Sequence, residues 1–525
     1  MKLMEVILKN GPREPDCKIE VKDICTIEDI VKELQSKLPY AILAAHVDNK
    51  IVELTHKIDK PCKIELLDMR NQSANLIYQN SLSLIYMKAV YDVLGDIVVE
   101  IQNSINKGLY TMIRRKMPVT QAEVDGIYKR MRELVDLDIP YVKEDSCYSL
   151  EGFKKFFFGL MVPSTRYIKL FEIRKYRRGV LLRFPHPKNP NVIPDYVDEV
   201  KLYGAFGEAT NWGKLMEVSY ARDLNAKVRN GEYKELIQLS EALHEKKVAE
   251  LADIIKKEKK RIVLIAGPSS SGKTTFAKRL LIQLKVNGLK PLYMGTDDYF
   301  VERENTPLDE NGEPNFEDLE AIDIELFNAN MNSLLAGEEV DLPTFDFMDG
   351  HKKFGKRLTK ITSGQPIIIE GIHALNRELT ALIPDTEKFK IYISPLTQLN
   401  IDENNRIPTT DARMLRRMVR DYNFRGHSAK NTINSWPKVR AGEDKNIFPF
   451  SNEADAFFNS VHLYEISVLK KYAEPLLKEI QQEEPVYSEA QRLLKILDFF
   501  EVIEDDSIIA NNSILREFIG GSILV

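Results

Sequence analysis

The sequence predicts a multidomain protein in which two small α+β domains precede an α/β domain built on a parallel sheet. Three observations lead to this prediction. The chain has 525 residues, which at typical domain sizes corresponds to three or four domains. Short strand and helix patterns alternate up to about residue 235. Continuous apolar runs separated by helical patterns follow, and such runs are typical of a parallel sheet covered on both faces.

Composition and charge place the chain among ordinary globular proteins of the cytoplasm. It is 43% hydrophobic and 29% charged, with a formal net charge of −5, which argues against a large basic surface for duplex nucleic acid. Its cysteines form no C-x-x-C pair, so neither a zinc ribbon nor a thioredoxin-type motif is indicated. The apolar segment 82–101 carries charged residues such as Lys88 and Asp92, so we expect no membrane span.

Residues 1–68 predict a small roll of strands and one helix. Strands are indicated at 4–8 and 18–21, then a helix that begins at Thr26, then strands at 44–47 and 63–67. This β-β-α-β-β order resembles the TGS domain, a ubiquitin-like module of threonyl-tRNA synthetase and of some GTPases. The resemblance implies a fold and no catalytic residue.

Residues 69–235 predict an α+β domain that starts with a long helix. Its apolar face ends at Gly95 and is formed by Leu82, Ile85, Tyr86, Ala89, Val90, Val93 and Leu94. Strands are indicated at 97–101 and from 108 onward. The arrangement is similar to the second additional (editing) domain of threonyl-tRNA synthetase. That domain carries an H-x-x-x-H metal pair, but Asn80 and Leu84 stand at the matching positions, so metal-dependent editing is not implied here.

Residues 236–525 predict the parallel-sheet domain. A charged helical segment at 243–260 indicates a solvated linker helix, and strands follow at 262–266, 291–294, 366–369 and 390–393. After the first of these strands the chain reads G-x-x-x-x-G-K-T. The loop consists of Gly267, Pro268, Ser269, Ser270, Ser271, Gly272, Lys273, Thr274 and Thr275.

This loop has the residue types that a phosphate-binding loop requires. Small residues let backbone N–H groups turn inward around a phosphate, and the N-terminus of the predicted 273–286 helix adds further donors. Lys273 supplies a cation for the β- and γ-phosphates, and the Thr274 hydroxyl is a ligand for Mg²⁺. A P-loop kinase domain that binds ATP and magnesium is therefore expected.

Two acidic positions fit phosphoryl transfer. Asp297 and Asp298 follow the second strand, and either could accept the proton of an attacking hydroxyl. Glu370 ends the third strand, at a position suited to holding Mg²⁺.

An arginine-rich helix is predicted at 411–421, capped by Thr410 or Asp411. Arginines recur on one face at helical spacing, and they are Arg413, Arg416, Arg417 and Arg420. A row of guanidiniums suits a polyphosphate and a lid that excludes water, whereas a solvated helix with ion pairs is the plainer alternative.

In combination, these motifs resemble the uridine kinase/phosphoribulokinase family. The resemblance covers residues 261–473 and rests on GPSSSGKTT, TDDYF, NFEDLEAID, LPTFDF, IIIEGIHAL and RRMVRDYNFRG, in that order. It implies that Asp297 is the catalytic base, that Lys273 and Arg420 are catalytic, and that Arg425 is a second lid arginine that faces the phosphates. Thr274 and Glu370 stand at the magnesium positions.

The resemblance also implies an acceptor site, and here the chain departs from the family pattern. Its expected members are Asp297, Tyr299, Glu317, Phe345, His351, Arg417 and His427. Glu317 replaces an aspartate, Phe345 a tyrosine and His427 an arginine. Gly350 stands where the family has a base-contacting histidine, and His351 follows it. The ATP side is therefore better matched than the acceptor side.

The expected activity is transfer of phosphate from ATP to the 5′-hydroxyl of a nucleoside such as uridine or cytidine. One alternative is a related kinase with another hydroxyl acceptor. Another is an RNA- or tRNA-associated regulator, although a guanine-reading N-K-x-D motif is absent and Asp297 favours transfer. In the C-terminal segment Ile514, Leu515, Phe518 and Ile519 form an apolar face, which we expect to dock on the kinase domain or on a second subunit of a homo-oligomer.

Overall fold

A computed structural model of the chain describes residues 3–10, 15–22, 25–309, 312–397 and 399–525. Among these residues, no helix combines the length and the apolar character needed to cross a membrane.

The N-terminal region is a mixed sheet with one helix packed on it. Its elements are β1 (Leu3–Asn10), β2 (Pro15–Lys22), β3 (Cys25–Thr26), α1 (Ile27–Leu34), β4 (Ile42–Val47), β5 (Lys50–Val52), β6 (Lys57–Ile58) and β7 (Lys63–Asp68). The main sheet has the order β2-β1-β7-β4-β5, with β1 antiparallel to β2 and parallel to β7. The helix starts at Thr26, as predicted, and Thr26 forms a capping box: its hydroxyl accepts from the Asp29 N–H, and the Asp29 carboxylate accepts from the Thr26 N–H. The predicted strands and helix are all present, and the structure adds the short strands β3, β5 and β6.

The middle region is also mixed α/β and is built around one buried helix. It contains α2 (Gln72–Leu94), β8 (Val99–Ile105), β9 (Gly108–Ile113), α3 (Gln121–Asp136), β10 (Val142–Glu144), β11 (Cys147–Leu150), β12 (Phe153–Phe156), β13 (Glu172–Tyr176), β14 (Gly179–Arg183), α4 (Val200–Leu215) and α5 (Ala221–Arg229). One sheet has the order β13-β14-β9-β8 and another β10-β11-β12. Helix α2 ends at Gly95, as predicted. It is buried on more than the predicted face, since Leu84 is also in the core, whereas Val93 is 40% exposed.

The C-terminal region contains the predicted parallel sheet. Its elements are α6 (Tyr233–Lys257), β15 (Ile262–Ala266), α7 (Lys273–Val286), β16 (Leu292–Gly295), α8 (Ile324–Ala336), β17 (Val340–Asp341), β18 (Thr344–Asp346), β19 (His351–Lys353), β20 (Leu358–Thr359), β21 (Ile367–Glu370), β22 (Lys388–Ser394), α9 (Thr409–Arg425), α10 (Ala429–Asn446), β23 (Ala456–Asn459), α11 (Glu465–Lys478), α12 (Tyr487–Leu497) and α13 (Arg516–Ile519). The strand order is β16-β21-β15-β22-β23, and each neighbouring pair is parallel.

Helix α6 differs from the solvated linker helix that its charges predicted. One side of it is buried, and residues such as Val248 and Ile255 lie in the same core as β15 and α7. The apolar positions at helical spacing outweigh the lysine and glutamate run, because those charges occupy the opposite, exposed face.

The middle and C-terminal regions are joined by backbone and side-chain hydrogen bonds. The Ile101 N–H donates to the Glu403 carbonyl at 2.9 Å, and the Asn400 amide donates to the Ile101 carbonyl at 3.1 Å. The Asn405 side chain accepts from the Phe158 N–H at 3.3 Å. The segment that precedes α9 is thereby fixed against the middle region.

Candidate active site

The predicted phosphate loop connects β15 to α7, and α7 has the bounds that the sequence predicted. Two glycines make its path feasible. A Cβ on Gly267 would lie 2.0 Å from the Ile393 carbonyl oxygen, and Gly272 has a φ of +84° with Ile514 against it. Neither position accepts a side chain without strain or movement. The loop therefore presents backbone N–H groups at the start of a helix, where anions bind.

Parallel pairing brings the loop beside Glu370. Residue Ile265 of β15 is in register with Glu370 at the end of β21. The Thr274 hydroxyl lies 3.4 Å from Glu370 Oε2, and the Tyr293 hydroxyl donates to the same oxygen at 3.3 Å. Two hard oxygen atoms thus meet at the helix start, and this donor set suits Mg²⁺.

Burial is the main cause of the raised pKa of the Glu370 carboxyl. Removal from water raises the pKa of Glu370 to about 7, and repulsion from Asp297 adds to the shift. The Lys273 ammonium opposes it. A bound cation would favour the ionised form of the Glu370 carboxylate. It would supply positive charge at this site that the protein alone does not provide.

Asp297 and Asp298 occupy a short 3₁₀ turn (Thr296–Tyr299) directly after β16. Asp298 forms an ion pair with Arg357 at 2.7 Å, whereas Asp297 forms none with any described residue. Solvent reaches Asp297, yet the cleft walls desolvate its carboxyl enough to raise its pKa, with the nearby Lys273 opposing that rise. Of the two candidates for the proton acceptor, Asp297 is therefore the one without an ion pair among the described residues.

The arginines of α9 divide into a buried pair and a group of three, contrary to the predicted common row. Arg413 donates to the Ser269 carbonyl at 3.0 Å and pairs with Glu443, and Arg416 pairs with Glu465 at 2.6 Å. Both guanidiniums are almost fully buried. They support the backbone of the phosphate loop and do not face a ligand. The predicted caps are also wrong, because Pro408 is the N-cap residue and Asp411 pairs with Arg492.

The remaining arginines of this helix gather around one carboxylate. Arg417, Arg420 and Arg425 lie 3.2, 2.7 and 3.6 Å from Asp421, and Arg417 also donates to the Ser269 hydroxyl at 2.8 Å. Burial and repulsion from Arg420 lower the pKa of Arg425. Three cations share a single anion beside the loop, which leaves positive charge for a phosphate.

The expected acceptor residues divide between the cleft and the core. Burial raises the pKa of Glu317, with Glu443 adding to the shift and Arg417 opposing it, so Glu317 lies among the charges of the cleft. Tyr299 is 1% exposed and accepts a hydrogen bond from Asn330, and Phe345 is buried against other aromatic rings. These two side chains belong to the core behind the cleft and were expected in the cleft itself.

The two expected histidines are exposed. His351 Nδ1 lies 3.2 Å from Glu302 Oε2. His427 follows the end of α9, where its N–H donates to the Asp421 carbonyl at 3.1 Å.

Two glutamates at the loop were not found by sequence reasoning. Glu443 Oε1 accepts from the Ser269 N–H at 3.0 Å, and Glu517 accepts from the Thr275 N–H at 3.2 Å. Each is far from the loop in sequence, so no local pattern identifies it. Glu517 reaches the loop because Leu515, just before α13, and Phe518, within it, pack into the same core as α7 and α9, which agrees with the predicted docking of this segment on the C-terminal region.

Comparison with known proteins finds a family and relatives that match the C-terminal region. Residues 262–467 match the phosphoribulokinase / uridine kinase family. A uridine kinase of Lactobacillus helveticus is 30% identical over 181 residues, which are 34% of this chain and 77% of the relative. A uridine kinase of Staphylococcus aureus is 30% identical over 195 residues, which are 37% of this chain and 84% of the relative.

A solved structure described as a possible uridine kinase from Bacillus stearothermophilus also matches. It is 20% identical, with a TM-score of 0.27, and the match covers 39% of this chain and 96% of that one.

Proposed function

Because the chain belongs to the phosphoribulokinase and uridine kinase family, we propose that it transfers the γ-phosphoryl group of ATP to the 5′-hydroxyl of a nucleoside such as uridine or cytidine. The observation that carries this proposal is the unpaired carboxylate of Asp297 in the same cleft as Lys273 and Glu370. A free base beside a phosphate loop is what hydroxyl-directed transfer requires.

In this proposal, ATP is bound by backbone N–H groups of the phosphate loop and by Lys273. The N–H groups of the 267–275 segment surround the phosphates, and Lys273 contacts the β- and γ-phosphates. In the structure the Lys273 ammonium donates only to the Pro268 carbonyl, at 3.3 Å, among the described residues. This weak contact leaves the cation available to the nucleotide.

Magnesium would be held by Thr274 and Glu370, whose oxygens already lie together. When bound, the ion neutralises charge on the phosphates.

Transfer needs one bond formed, one broken and one proton moved. The acceptor hydroxyl oxygen bonds to the γ-phosphorus, the bond from phosphorus to the bridging oxygen breaks, and ADP leaves. The hydroxyl proton passes to the Asp297 carboxylate. Asp298 is less suited to this role because Arg357 holds it.

The arginines and the acceptor residues complete the site. Arg417, Arg420 and Arg425 stabilise negative charge on the transferring group by releasing Asp421 in favour of phosphate. Glu317, His351 and His427 contact the acceptor, while Tyr299 and Phe345 support the wall behind it.

We extend the proposal to the preceding regions. Residues 1–68 form a TGS-like domain, and residues 69–235 form a domain like the second additional domain of threonyl-tRNA synthetase. The strand and helix orders support both assignments. Residues 236–525 form the kinase domain in this proposal, and helix α6, which spans Tyr233–Lys257, lies at its start.

The experiment is a transfer assay with γ-³²P-labelled ATP and a panel of nucleosides and sugars. Labelled uridine or cytidine 5′-monophosphate supports the proposal. Label on another hydroxyl compound alone supports the related-kinase alternative. ATP turnover that requires RNA, with no labelled small product, would overturn the proposal in favour of an RNA-associated regulator.

A further inference from the structure

A cavity of about 300 Å³ lies where the N-terminal, middle and C-terminal regions meet. Its walls come from β5, helix α2, the loop at 158–160, the segment at 404–408 that leads into α9, and helix α12. It is separate from the phosphate loop, none of whose residues line it. Cavities of this size between domains are where small molecules bind.

The charged residues that line the cavity are all basic. Lys50, Arg406, Arg492 and Lys495 line it, and no aspartate or glutamate of the described chain does. Arg492 is neutralised by Asp411 at 2.6 Å and by Glu489. The other three cations form no ion pair with any residue that the structure describes. The protein therefore leaves positive charge here uncompensated.

Arg406 differs from the other three cations because it is both partly buried and without an ion pair to a described residue. Its Nε is buried without a hydrogen-bond partner, and burial lowers the pKa of the guanidinium to about 10. Asp411 opposes that shift but is already bonded to Arg492. A partly buried charge without an ion pair is costly, so an anion placed against Arg406 would be favourable.

The rest of the cavity is largely apolar. Leu76, Ile77, Ile101, Leu109 and Phe158 contribute to its walls. Several amide and hydroxyl side chains also line it, among them Asn80, whose amide donates to the Leu160 carbonyl at 3.4 Å. Gly159 leaves room for that amide, because a Cβ there would lie 2.3 Å from Asn80 Nδ2. An amide at this place can also donate to a ligand.

We propose that this cavity binds a small amphipathic anion, with its apolar body against α2 and Phe158 and its anionic group on Arg406. The head group is a carboxylate, phosphate or sulfonate, since each matches the forked donors of a guanidinium. Arg406 lies just before α9, the helix that carries Arg417 and Arg420, so the ligand contacts the segment that positions those arginines. This site is additional to the proposed kinase site.

Two fluorescent compounds with nearly the same body test the proposal. 1-Anilinonaphthalene-8-sulfonate carries an anionic group, and N-phenyl-1-naphthylamine lacks it. Both are titrated into the full chain with Mg-ATP present at saturation, so that the phosphate loop is occupied. We expect a saturable sulfonate site that Arg406→Gln weakens at least tenfold, with binding of the neutral amine changed less than twofold. Arg229→Gln, at an exposed arginine, is the matched control and should change neither.

Lys495→Gln provides a second variant at an exposed side chain, in case Arg406→Gln lowers the melting temperature. It should weaken the sulfonate about threefold and leave the amine unchanged. Equal losses of both compounds in these variants would overturn the proposal, as would unchanged sulfonate binding in both or no saturable sulfonate site in the wild-type chain.

Discussion

The carboxylate of Glu517 accepts hydrogen bonds from both the backbone N–H and the hydroxyl of Thr275, at 3.2 and 2.7 Å. Thr275 is in the first turn of α7, where the proposed ATP site presents its donors. A side chain from the C-terminal segment thus satisfies an N–H that a phosphate would otherwise take. The same carboxylate also helps to raise the pKa of Glu370, which shows how close it is to the magnesium position.

Replacing Glu517 by glutamine should tighten ATP binding about three- to tenfold, because one negative charge beside the phosphates is removed. The glutamine oxygen can still accept from Thr275, so the helix start keeps its partner. Isothermal titration with a non-hydrolysable ATP analogue measures the change. Glu504→Gln, at an exposed glutamate of the same segment, controls for net charge and should have no effect. Weaker ATP binding in Glu517→Gln would contradict competition by Glu517.

The raised pKa of Glu370 predicts a pH-dependent stability. The unfolded chain ionises this group near its ordinary pKa of 4.5, whereas the folded chain does so at about 7. The contribution of Glu370 to the free energy of unfolding should therefore fall between about pH 4.5 and 7 and stay low above that. The free energy of unfolding of Glu370→Gln, relative to that of the wild type, should therefore rise by up to about 3 kcal/mol between pH 4.5 and 8. Urea unfolding without magnesium measures this difference.

Glu304→Gln reports the effect of losing one exposed carboxylate. If the difference between Glu370→Gln and wild type were the same at pH 4.5 and pH 8, burial of a protonated Glu370 would be excluded.

Neighbouring arginines of α9 should respond differently to the same substitution. Arg416→Met leaves Glu465 buried without its cation and should lower the free energy of unfolding by about 3–5 kcal/mol. Arg417→Met should lower the free energy of unfolding by less than about 1 kcal/mol. It should lower kcat/KM about 10- to 100-fold, since the Arg417 guanidinium is proposed to bind substrate. Urea unfolding and steady-state assays measure both effects.

The double variant Arg416→Met/Glu465→Gln should recover part of the loss in stability, because it removes the uncompensated charge. Equal losses in stability for Arg416→Met and Arg417→Met would contradict the division of the helix into supporting and ligand-facing arginines.

Local sequence patterns predicted some elements of the kinase region, whereas others such as β23 and α10 were not predicted. The strand before the loop and helix α7 follow from short-range signals: an apolar run and small residues at fixed spacing. The same holds for Thr26 in the first region, whose cap depends on a residue three positions away. These features depend on interactions between near neighbours in the chain.

The roles of individual side chains were harder to predict. Arg413 and Arg417 share a face in a helical projection, yet the first is fully buried against Glu443 of the next helix, whereas the second pairs with Asp421 of its own helix. Phe345 reads as a substitute for a substrate-binding tyrosine, but nearby rings draw it into the core. Glu517 and the Arg406 cavity arise from segments brought together only by folding, so no spacing along the chain identifies them.

The most direct test of the proposed chemistry is rapid chemical quench of a single turnover with uridine, comparing wild type, Asp297→Asn and Asp298→Asn. Asp297→Asn should bind ATP with an affinity within about threefold of wild type and transfer phosphate about 10²–10⁴-fold more slowly, because the proton acceptor is lost. The transfer rate of Asp298→Asn should fall much less, since the wild-type Asp298 carboxylate is paired with Arg357 and is not the proposed proton acceptor. Transfer by Asp297→Asn at the wild-type rate would contradict the account.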